Sequence, residues 1–383
     1  MKITVRKEKL VEGLKKVSAA VGSKERLNVM SGVKIEALTR MAPGAIEDEE
    51  FERIMLTATD GTMQIKTLVP CKAARLGATC LPAKFLLAFA EALPEGEVVI
   101  ETNDRGTKSN ISGGECRYSL MTFEEQNFPV MEGPKTGAKI SLRPGVFREL
   151  LRKVRYAAAG SSEARKVLQG VNVCIDGGRM RMVATDGKRL SMVEYFFEIG
   201  KVEDVALGTL PSAAVNELYS LLGGENGENE IEVKTDERAV QIQGDGFEIT
   251  TRLLADVYPN WTKVVPEKTA HTATVERGPF LEELRRAKAA TVASDGRMVK
   301  MRFHTGEVVF EGQADDFSKS KTRLPVKYAG EESEFLINPA LFEDVLEAID
   351  DEEVTFGFDG SGQRIVIKCT VPFVAVIQPM KVG

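Results

Sequence analysis

Apolar and polar residues follow the same order at three places along the chain. Residues 3–21, 140–159 and 273–292 each begin with a strand-like alternation and continue with apolar residues at helical spacing. In the second copy, Phe147 and Val154 fall on one face of the predicted helix. The copies start 137 and 133 residues apart, which is the length of a domain and far longer than a solenoid repeat. The pattern therefore predicts three related domains in a row.

Each copy continues with a second predicted helix and a group of short strands. The second helix follows a proline, at Pro82, Pro211 and Pro339, and proline is well suited to a first helical turn. Alternating runs such as EVVIETN, EIEVKTD and EVTFGFD come next at hairpin spacing. We therefore predict an α+β fold in which each domain has two helices packed on mainly antiparallel sheets.

The domain joins are marked by an aromatic residue followed by proline. Phe128 precedes a proline near the first join, and Tyr258 precedes one near the second. Such a pair favours an extended chain leaving the domain. The predicted domains are residues 1–133, 134–266 and 267–383.

Composition and charge narrow the class of protein. Of the 383 residues, 43% are hydrophobic and 28% are charged, which is typical of a globular protein without disorder. We find no apolar stretch near 18 residues and no signal-peptide core, so we expect a cytoplasmic protein without a membrane partner. Five cysteines without metal-ligand spacing favour reduced, mostly buried thiols. The net charge of −6 argues against bulk nucleic-acid affinity but allows a local basic surface.

The first helix of each copy carries such a basic face. A charged helix face is usually only a solvated one. Here three equivalent helices are basic in an acidic chain, which favours contact with phosphate. The basic residues concerned are Lys9, Lys16, Arg148, Arg152, Arg155 and Arg285.

The sequence Ala-Thr-Asp-Gly occurs twice, ending at Gly61 and at Gly187, each time between two apolar runs. Aspartate can accept hydrogen bonds from the backbone that follows it, and glycine allows the positive φ of a tight turn. The alternative is a metal-dependent phosphoesterase that uses Asp60 and Asp186. No histidine or second acid stands at a suitable offset, and neither a nucleophile triad nor a phosphate-binding glycine loop is present. We therefore expect two turns, no metal site and no enzyme activity.

These features together resemble a known family. The threefold repeat, ATDGKRLS at 184–191, YPNW at 258–261 and the ending QPMKVG are similar to those of bacterial sliding clamps, the β subunits of DNA polymerase III. The resemblance covers essentially the whole chain. It implies the DNA-clamp fold and a head-to-tail homodimer, closed into a ring of six similar domains around duplex DNA. It further implies a non-catalytic processivity factor without a cofactor, which tethers the replicative polymerase.

The resemblance also implies a cleft between the second and third domains for short motifs with apolar or aromatic anchors. In this chain Lys188 stands where the family commonly has His, and Gln378 where Met is common. The cleft positions are Leu168, Thr185, Gly187, Lys188, Arg189, Leu190, Pro259, Lys263, Val264, Val376, Ile377, Pro379 and Met380.

Further positions follow from the same resemblance. It implies DNA contacts at Lys24, Ser162 and Arg165, in addition to the basic helix residues. The implied dimer interface joins Tyr118 of one chain to Thr291 and Val292 of the other. The implied partners are duplex DNA of any sequence, a polymerase subunit, the clamp loader, other proteins with a clamp-binding motif, and a second copy of the chain. A repeat scaffold that never closes into a ring remains an alternative, which native mass would separate from the dimer.

Overall fold

The structure is a computed structural model in which two compact units are described. The described residues are 1–22, 28–40, 51–135, 137–198, 204–224, 229–291, 298–314, 318–370 and 372–380. The first unit consists of residues 1–146 and 216–253, and the second of residues 147–215 and 254–383. The predicted DNA contact Lys24 and the predicted interface residue Val292 lie outside the described residues. Within the described part, no helix is long and apolar enough to cross a membrane.

Six α-helices form in the described residues, two in each copy of the repeat. They are α1 Lys7–Val17, α2 Ala83–Ala92, α3 Pro144–Arg155, α4 Ser212–Leu221, α5 Arg277–Ala289 and α6 Pro339–Glu347. Each lies where the apolar spacing predicted a helix. At the start of α6, the side chain of Asn338 accepts a hydrogen bond from the backbone N–H of Ala340 at 3.1 Å, and Pro339 occupies the first turn.

The strands are short and follow the predicted order of strand, helix and further strands. They are β1 Lys2–Arg6, β2 Gly32–Arg40, β3 Phe51–Thr59, β4 Met63–Pro70, β5 Lys72–Arg75, β6 Gly77–Pro82, β7 Glu97–Thr102, β8 Lys108–Gly113, β9 Cys116–Met121, β10 Ala138–Leu142, β11 Gly170–Asp176, β12 Arg179–Thr185, β13 Arg189–Phe196, β14 Val205–Pro211, β15 Ile231–Thr235, β16 Ala239–Gly244, β17 Phe247–Arg252, β18 His271–Glu276, β19 Val299–His304, β20 Glu307–Ala314, β21 Ser318–Pro325, β22 Ser333–Ile337, β23 Glu353–Phe358, β24 Ile365–Lys368 and β25 Phe373–Ile377.

The first unit contains a five-stranded and an eight-stranded sheet. The smaller sheet has the order β5-β1-β7-β8-β9, so that β9 forms one of its edges. The larger has the order β10-β15-β16-β17-β4-β3-β2-β6. Strand β17 pairs with β4 in antiparallel register, with Ile249 opposite Ile65. Strands from two predicted domains therefore share one sheet, and the domain bounds at 133 and 266 stay a prediction.

The second unit repeats this arrangement with an eight-stranded and a four-stranded sheet. The order of the larger sheet is β14-β11-β12-β13-β25-β24-β23-β18, and that of the smaller is β21-β20-β19-β22. Phe147, Leu151 and Val154 of α3 are fully buried, as their helical spacing predicted. The α+β class with antiparallel sheets is confirmed, and the pairing of β13 with β25 becomes the base of the site described next.

Candidate functional site

Both Ala-Thr-Asp-Gly segments form the same tight turn. Asp60 Oδ1 accepts the backbone N–H of Thr62 at 2.7 Å and of Met63 at 2.8 Å. In the second copy, Asp186 Oδ1 accepts the N–H groups two and three residues on, at 2.8 and 2.9 Å. Gly61 and Gly187 have φ of 85° and 83°, which a side chain would strain. The turn prediction is confirmed, because the carboxylates are engaged in holding the two hairpins.

In the second unit the turn stands beside a groove of about 270 Å³. This volume lies just below the roughly 300–1,000 Å³ of typical small-ligand pockets, so the groove suits a few side chains. Leu190 and Val376, which face each other on β13 and β25, are 3% and 2% exposed and belong to an apolar cluster that forms the floor. The groove is lined by Arg165, Leu168, Thr185, Gly187, Lys188, Arg189, Leu190, Pro259, Val264, Arg364, Val376 and Gln378.

Arg189 fixes the wall of the groove from within. Its guanidinium lies 2.5 Å from Asp344 Oδ2 of α6 and 3.2 Å from Asp186 Oδ2, and it donates to the Tyr156 carbonyl at 2.6 Å. It also lies 5.2 Å from the centre of the Tyr156 ring. Burial raises the pKa of the Tyr156 hydroxyl, which donates a hydrogen bond to Ser191 Oγ at 3.0 Å. The guanidinium of Arg189 is therefore engaged in hydrogen bonds within its own chain.

The loop after β17 packs aromatic residues against the apolar cluster that forms the floor of the groove. Tyr258 and Trp261 pack against the apolar floor, and Tyr258 also contacts the cluster around Leu168. Burial raises the pKa of the Tyr258 hydroxyl. Asn260 Oδ1 accepts the backbone N–H of Thr262 at 3.2 Å, which begins the short 3₁₀ turn that carries Trp261. The YPNW segment of the sequence analysis thus supplies aromatic contacts that the predicted cleft residues did not include.

Four predicted cleft residues do not line the groove. The side chain of Ile377 points to the face of β25 opposite Val376 because neighbouring strand residues alternate. Pro379 is buried, and the backbone of Met380 donates to Leu336 in β22 at 2.8 Å, which holds the end of the chain against another strand. Lys263 is exposed at the end of the 3₁₀ turn. Conversely, Arg364 lines the groove and was not predicted, since it carries no motif.

Several positive charges on the basic helices are paired with carboxylates. On α1, Lys9 and Lys16 both pair with Glu12, at 3.1 and 3.0 Å. On α5, Arg285 Nη2 lies 2.6 Å from Glu347 Oε1, and both side chains are more than half exposed. Each lysine or arginine named here has an acidic partner, and the contact of the basic faces with phosphate stays a prediction.

Arg152 shows this most clearly. Its side chain is only 20% exposed and pairs with Glu149 at 2.8 Å and with Asp350. It also donates to the Glu347 carbonyl at 3.2 Å. These bonds argue against a phosphate contact at Arg152. Arg148 and Arg155 are half-buried on the same helix.

The DNA positions from the resemblance are exposed where they are described. Ser162 and Arg165 both stand on the loop after α3. Arg165 Nε lies 2.9 Å from Glu163 Oε1, and the same side chain lines the groove. Arg165 therefore belongs to the groove as well as to the predicted DNA contact.

The predicted interface residues differ in exposure. Tyr118 is half-buried on the edge strand β9 and stacks on Phe89, with ring centroids 4.3 Å apart. Nearby on the same strand Met121 is 68% exposed. Thr291 is fully buried and its hydroxyl donates to the Lys288 carbonyl at 2.8 Å. Thr291 therefore offers little side-chain surface in the single chain, and its contact with a second chain stays a prediction.

The five cysteines are free thiols that differ in burial. Cys80 is buried, Cys116 is exposed, and the other three are half-buried, so the thiols are less buried than predicted. Burial raises the pKa of Cys71 to about 11 and of Cys80 to about 12, which keeps both thiols protonated at neutral pH. Among the described residues, no group of three or more His, Cys, Asp or Glu side chains could hold a metal ion.

Comparison with known proteins identifies the fold and the family. Three family models match consecutive parts of the chain: the N-terminal domain of the DNA polymerase III beta subunit over residues 1–132, its central domain over 141–260 and its C-terminal domain over 262–381. Beta sliding clamps of Chlamydia pneumoniae and Salmonella typhimurium are each 25% identical to this chain. These two alignments cover all of this chain and 99% and 100% of the relatives.

Solved structures agree with these matches. The DNA polymerase sliding clamp of Bacillus subtilis superimposes with a TM-score of 0.89 at 21% identity, and the DNA polymerase III subunit beta of Pseudomonas aeruginosa with 0.87 at 23%. Each superposition covers the whole of both chains. Together with the three consecutive domain models, which leave few residues unmatched, this shows that the chain belongs to the DNA polymerase III beta subunit family, the beta sliding clamps.

Proposed function

We propose that this protein is a DNA sliding clamp, a non-catalytic ring that encircles duplex DNA in the cytoplasm and tethers the replicative polymerase. The observation that carries the proposal is the succession of three beta-subunit domain models along the chain. Relatives that match this chain end to end are named beta sliding clamps. The proposed activity needs neither a cofactor nor a metal.

The physical basis of the activity is effective concentration. A polymerase that releases its primer end stays linked to a ring that cannot leave the DNA sideways. Its local concentration can reach the mM scale typical of tethered partners, so it rebinds before it diffuses away. The ring has to contact phosphates weakly and without reading bases, because tight contacts would stop it from sliding.

The groove of the second unit is the proposed docking site for partners. Its floor of Leu190, Val183 and Val376 is apolar, and Trp261 and Val264 pack beside it. Buried apolar anchors dominate the affinity of short peptide motifs. We infer that the polymerase subunit, the clamp loader and other clamp-binding proteins insert a Leu or Phe side chain there in turn.

Closure of the ring requires a dimer of unlike surfaces. Strand β9 ends the five-stranded sheet and strand β21 ends the four-stranded sheet, so each offers backbone groups to a further strand. A head-to-tail dimer would pair these two edges twice, once at each junction. On β9, the exposed Met121 and the stacked Tyr118 and Phe89 would add apolar contact.

Light scattering tests this interface. We expect the wild-type mass to be twice 41.9 kDa and Met121→Asp to give monomers. The matched control is Val130→Asp, which places the same charge on another exposed apolar residue of the first unit, 56% exposed and outside β9. If Met121→Asp remained dimeric, the interface would lie away from β9. A monomeric wild-type protein would favour the alternative of a repeat scaffold that does not close into a ring.

The tethering activity is tested on circular DNA. The protein is loaded on nicked circular DNA with a clamp loader, free protein is removed by gel filtration, and the DNA is then cut once. A sliding ring stays with the circle and leaves the linear DNA through its ends. Equal retention on both forms would mean ordinary DNA binding, and loss from both would mean that no ring closes around DNA.

A salt titration tests which helix residues meet phosphate. Each phosphate contact contributes about 0.9 to the slope of log affinity against log salt concentration. Arg285→Gln should reduce the slope, because the exposed pair between Arg285 and Glu347 opens at little cost. Arg152→Gln is the matched control and should leave the slope unchanged, since Arg152 is held by Glu149 and Asp350. A slope that falls in Arg152→Gln and stays unchanged in Arg285→Gln would assign the phosphate contact to Arg152 instead.

A further inference from the structure

The walls of the groove carry an unbalanced charge. Its lining includes four cationic side chains and no acidic one, although the whole chain has a net charge of −6. The four are Arg165, Lys188, Arg189 and Arg364. An apolar floor with cationic walls is suited to a ligand that combines apolar side chains with negative charge.

Two of these cations are neutralised by their own chain. Arg189 is held by Asp186 and Asp344, and Arg165 lies against Glu163. Lys188 and Arg364 have no carboxylate within ion-pair distance among the described residues, and both are exposed. The excess charge of the groove therefore lies on these two residues.

Hydrogen bonds hold the backbone of Lys188 and the guanidinium of Arg364 at the groove. The backbone N–H of Lys188 donates to Asp186 Oδ1 at 2.8 Å, and its carbonyl accepts the N–H of Gln378 at 2.9 Å. One Nη of Arg364 donates to the Val264 carbonyl at 3.2 Å. A guanidinium has five N–H donors, so the remaining ones stay available to a ligand.

We propose that Lys188 and Arg364 form a subsite that binds a carboxylate of the partner peptide next to its apolar anchor. The groove then prefers motifs in which an acidic residue neighbours the Leu or Phe that enters the floor. This inference rests on the proposed docking function and adds a sequence preference by which the groove discriminates among partner peptides. A peptide fits better than nucleic acid, because Leu190, Val264 and Val376 offer apolar surface to side chains rather than to a phosphate backbone.

The expected preference for an acidic peptide over a neutral one is moderate, because both cations are exposed. Exposed ion pairs contribute about 0.2–1 kcal/mol each, so a carboxylate that pairs with both cations should strengthen binding about two- to thirtyfold. The preference should shrink as salt is added, since the screening length falls to about 3 Å at 1 M ionic strength. Apolar anchoring persists at high salt.

Fluorescence anisotropy with two labelled peptides tests the subsite. The peptides share one Leu and one Phe anchor and differ only in an Asp or an Asn between them. The wild-type protein is compared with Lys188→Gln, Arg364→Gln and the double variant. Lys368→Gln is the matched control, since Lys368 is an exposed lysine on β24, the strand that follows Arg364, and does not line the groove. Fluorescence of Trp261 during thermal unfolding confirms that the variants stay folded.

We expect the Asp peptide to bind the wild-type protein more tightly, with the difference lost in the double variant and kept in Lys368→Gln. Equal affinity of both peptides for the wild-type protein, or an Asp preference that survives in the double variant, would overturn the subsite. A single-stranded oligonucleotide that displaces the peptide and depends on the same two cations would assign them to nucleic acid instead. Failure of both peptides to bind would contradict the docking function itself.

Discussion

Asp344 provides the sharpest test of how the groove wall is built. Removing one partner of a fully buried ion pair costs about 3–5 kcal/mol, whereas an exposed pair is worth about 0–1 kcal/mol. The Arg189 side chain is 10% exposed and that of Asp344 is 43% exposed, which places this pair between the two limits. Asp344→Asn should therefore lower the free energy of unfolding by about 1.5 kcal/mol.

The single tryptophan makes this change measurable within the second unit. Trp261 packs against the groove floor, so its fluorescence follows the unfolding of the part that contains Asp344. For a unit of this size, about 1.5 kcal/mol corresponds to a fall in Tm of about 3–6 °C. The matched control on the same helix is Glu347→Gln, whose pair with Arg285 is more than half exposed and should shift Tm by less than about 2 °C.

The two variants must differ for the argument to hold. Equal shifts in Asp344→Asn and Glu347→Gln would show that burial of Arg189 does not set the strength of the pair. A double-mutant cycle with Arg189→Met separates the pair from other effects of each change. A coupling energy near zero would refute the view that Asp344 acts through Arg189.

Three further outcomes are expected. Asp186→Ala should lower stability by about 1–2 kcal/mol and weaken peptide binding, whereas Asp60→Ala, in the equivalent turn of the first unit, should leave peptide binding unchanged in anisotropy. The hydrogen bond from Arg302 holds the pKa of Glu334 below 4.5, so this pair stabilises the fold above pH 4.5 and loses its effect as the pH falls through the lowered value. The Tm advantage of the wild-type protein over Arg302→Gln should accordingly narrow below pH 4.5. Peptide binding should change the emission of Trp261, and an unchanged spectrum at saturation would place the peptide away from the groove floor.

Local patterns were sufficient to predict the helices, the α+β class and the two Asp-Gly turns. Helical spacing around Phe147 and the proline in the first turn of α6 depend only on neighbouring residues. The turn at Asp186 is equally local, since all the backbone groups that it binds lie within three residues. The family could be recognised because the threefold repeat and the quoted motifs occur in the same order along the whole chain, although sequence identity to the relatives is low.

Side-chain partners at long range could not be predicted in the same way. Arg152 appeared as part of a basic stripe because its partner Asp350 stands almost two hundred residues away in the chain. Arg364 belongs to no motif, and it comes to the groove because it directly precedes β24, which pairs with β25. Thr291 was named only through the resemblance, which carries no information about how deeply its side chain is buried.

The acidic helix α6 connects these observations. Its residues Glu343, Asp344 and Glu347 pair with Lys288, Arg189 and Arg285, so one helix supplies counterions to the groove wall and to a basic helix. A phosphate that approaches Arg285 has to replace Glu347, and the net gain is smaller than for an uncompensated arginine. Weak, replaceable contacts are what a ring needs in order to move along DNA, because each step breaks old contacts as it makes new ones. Under the proposed function, Asp344 of this helix would stabilise the wall of the groove, and Glu347 would weaken the contact of Arg285 with DNA.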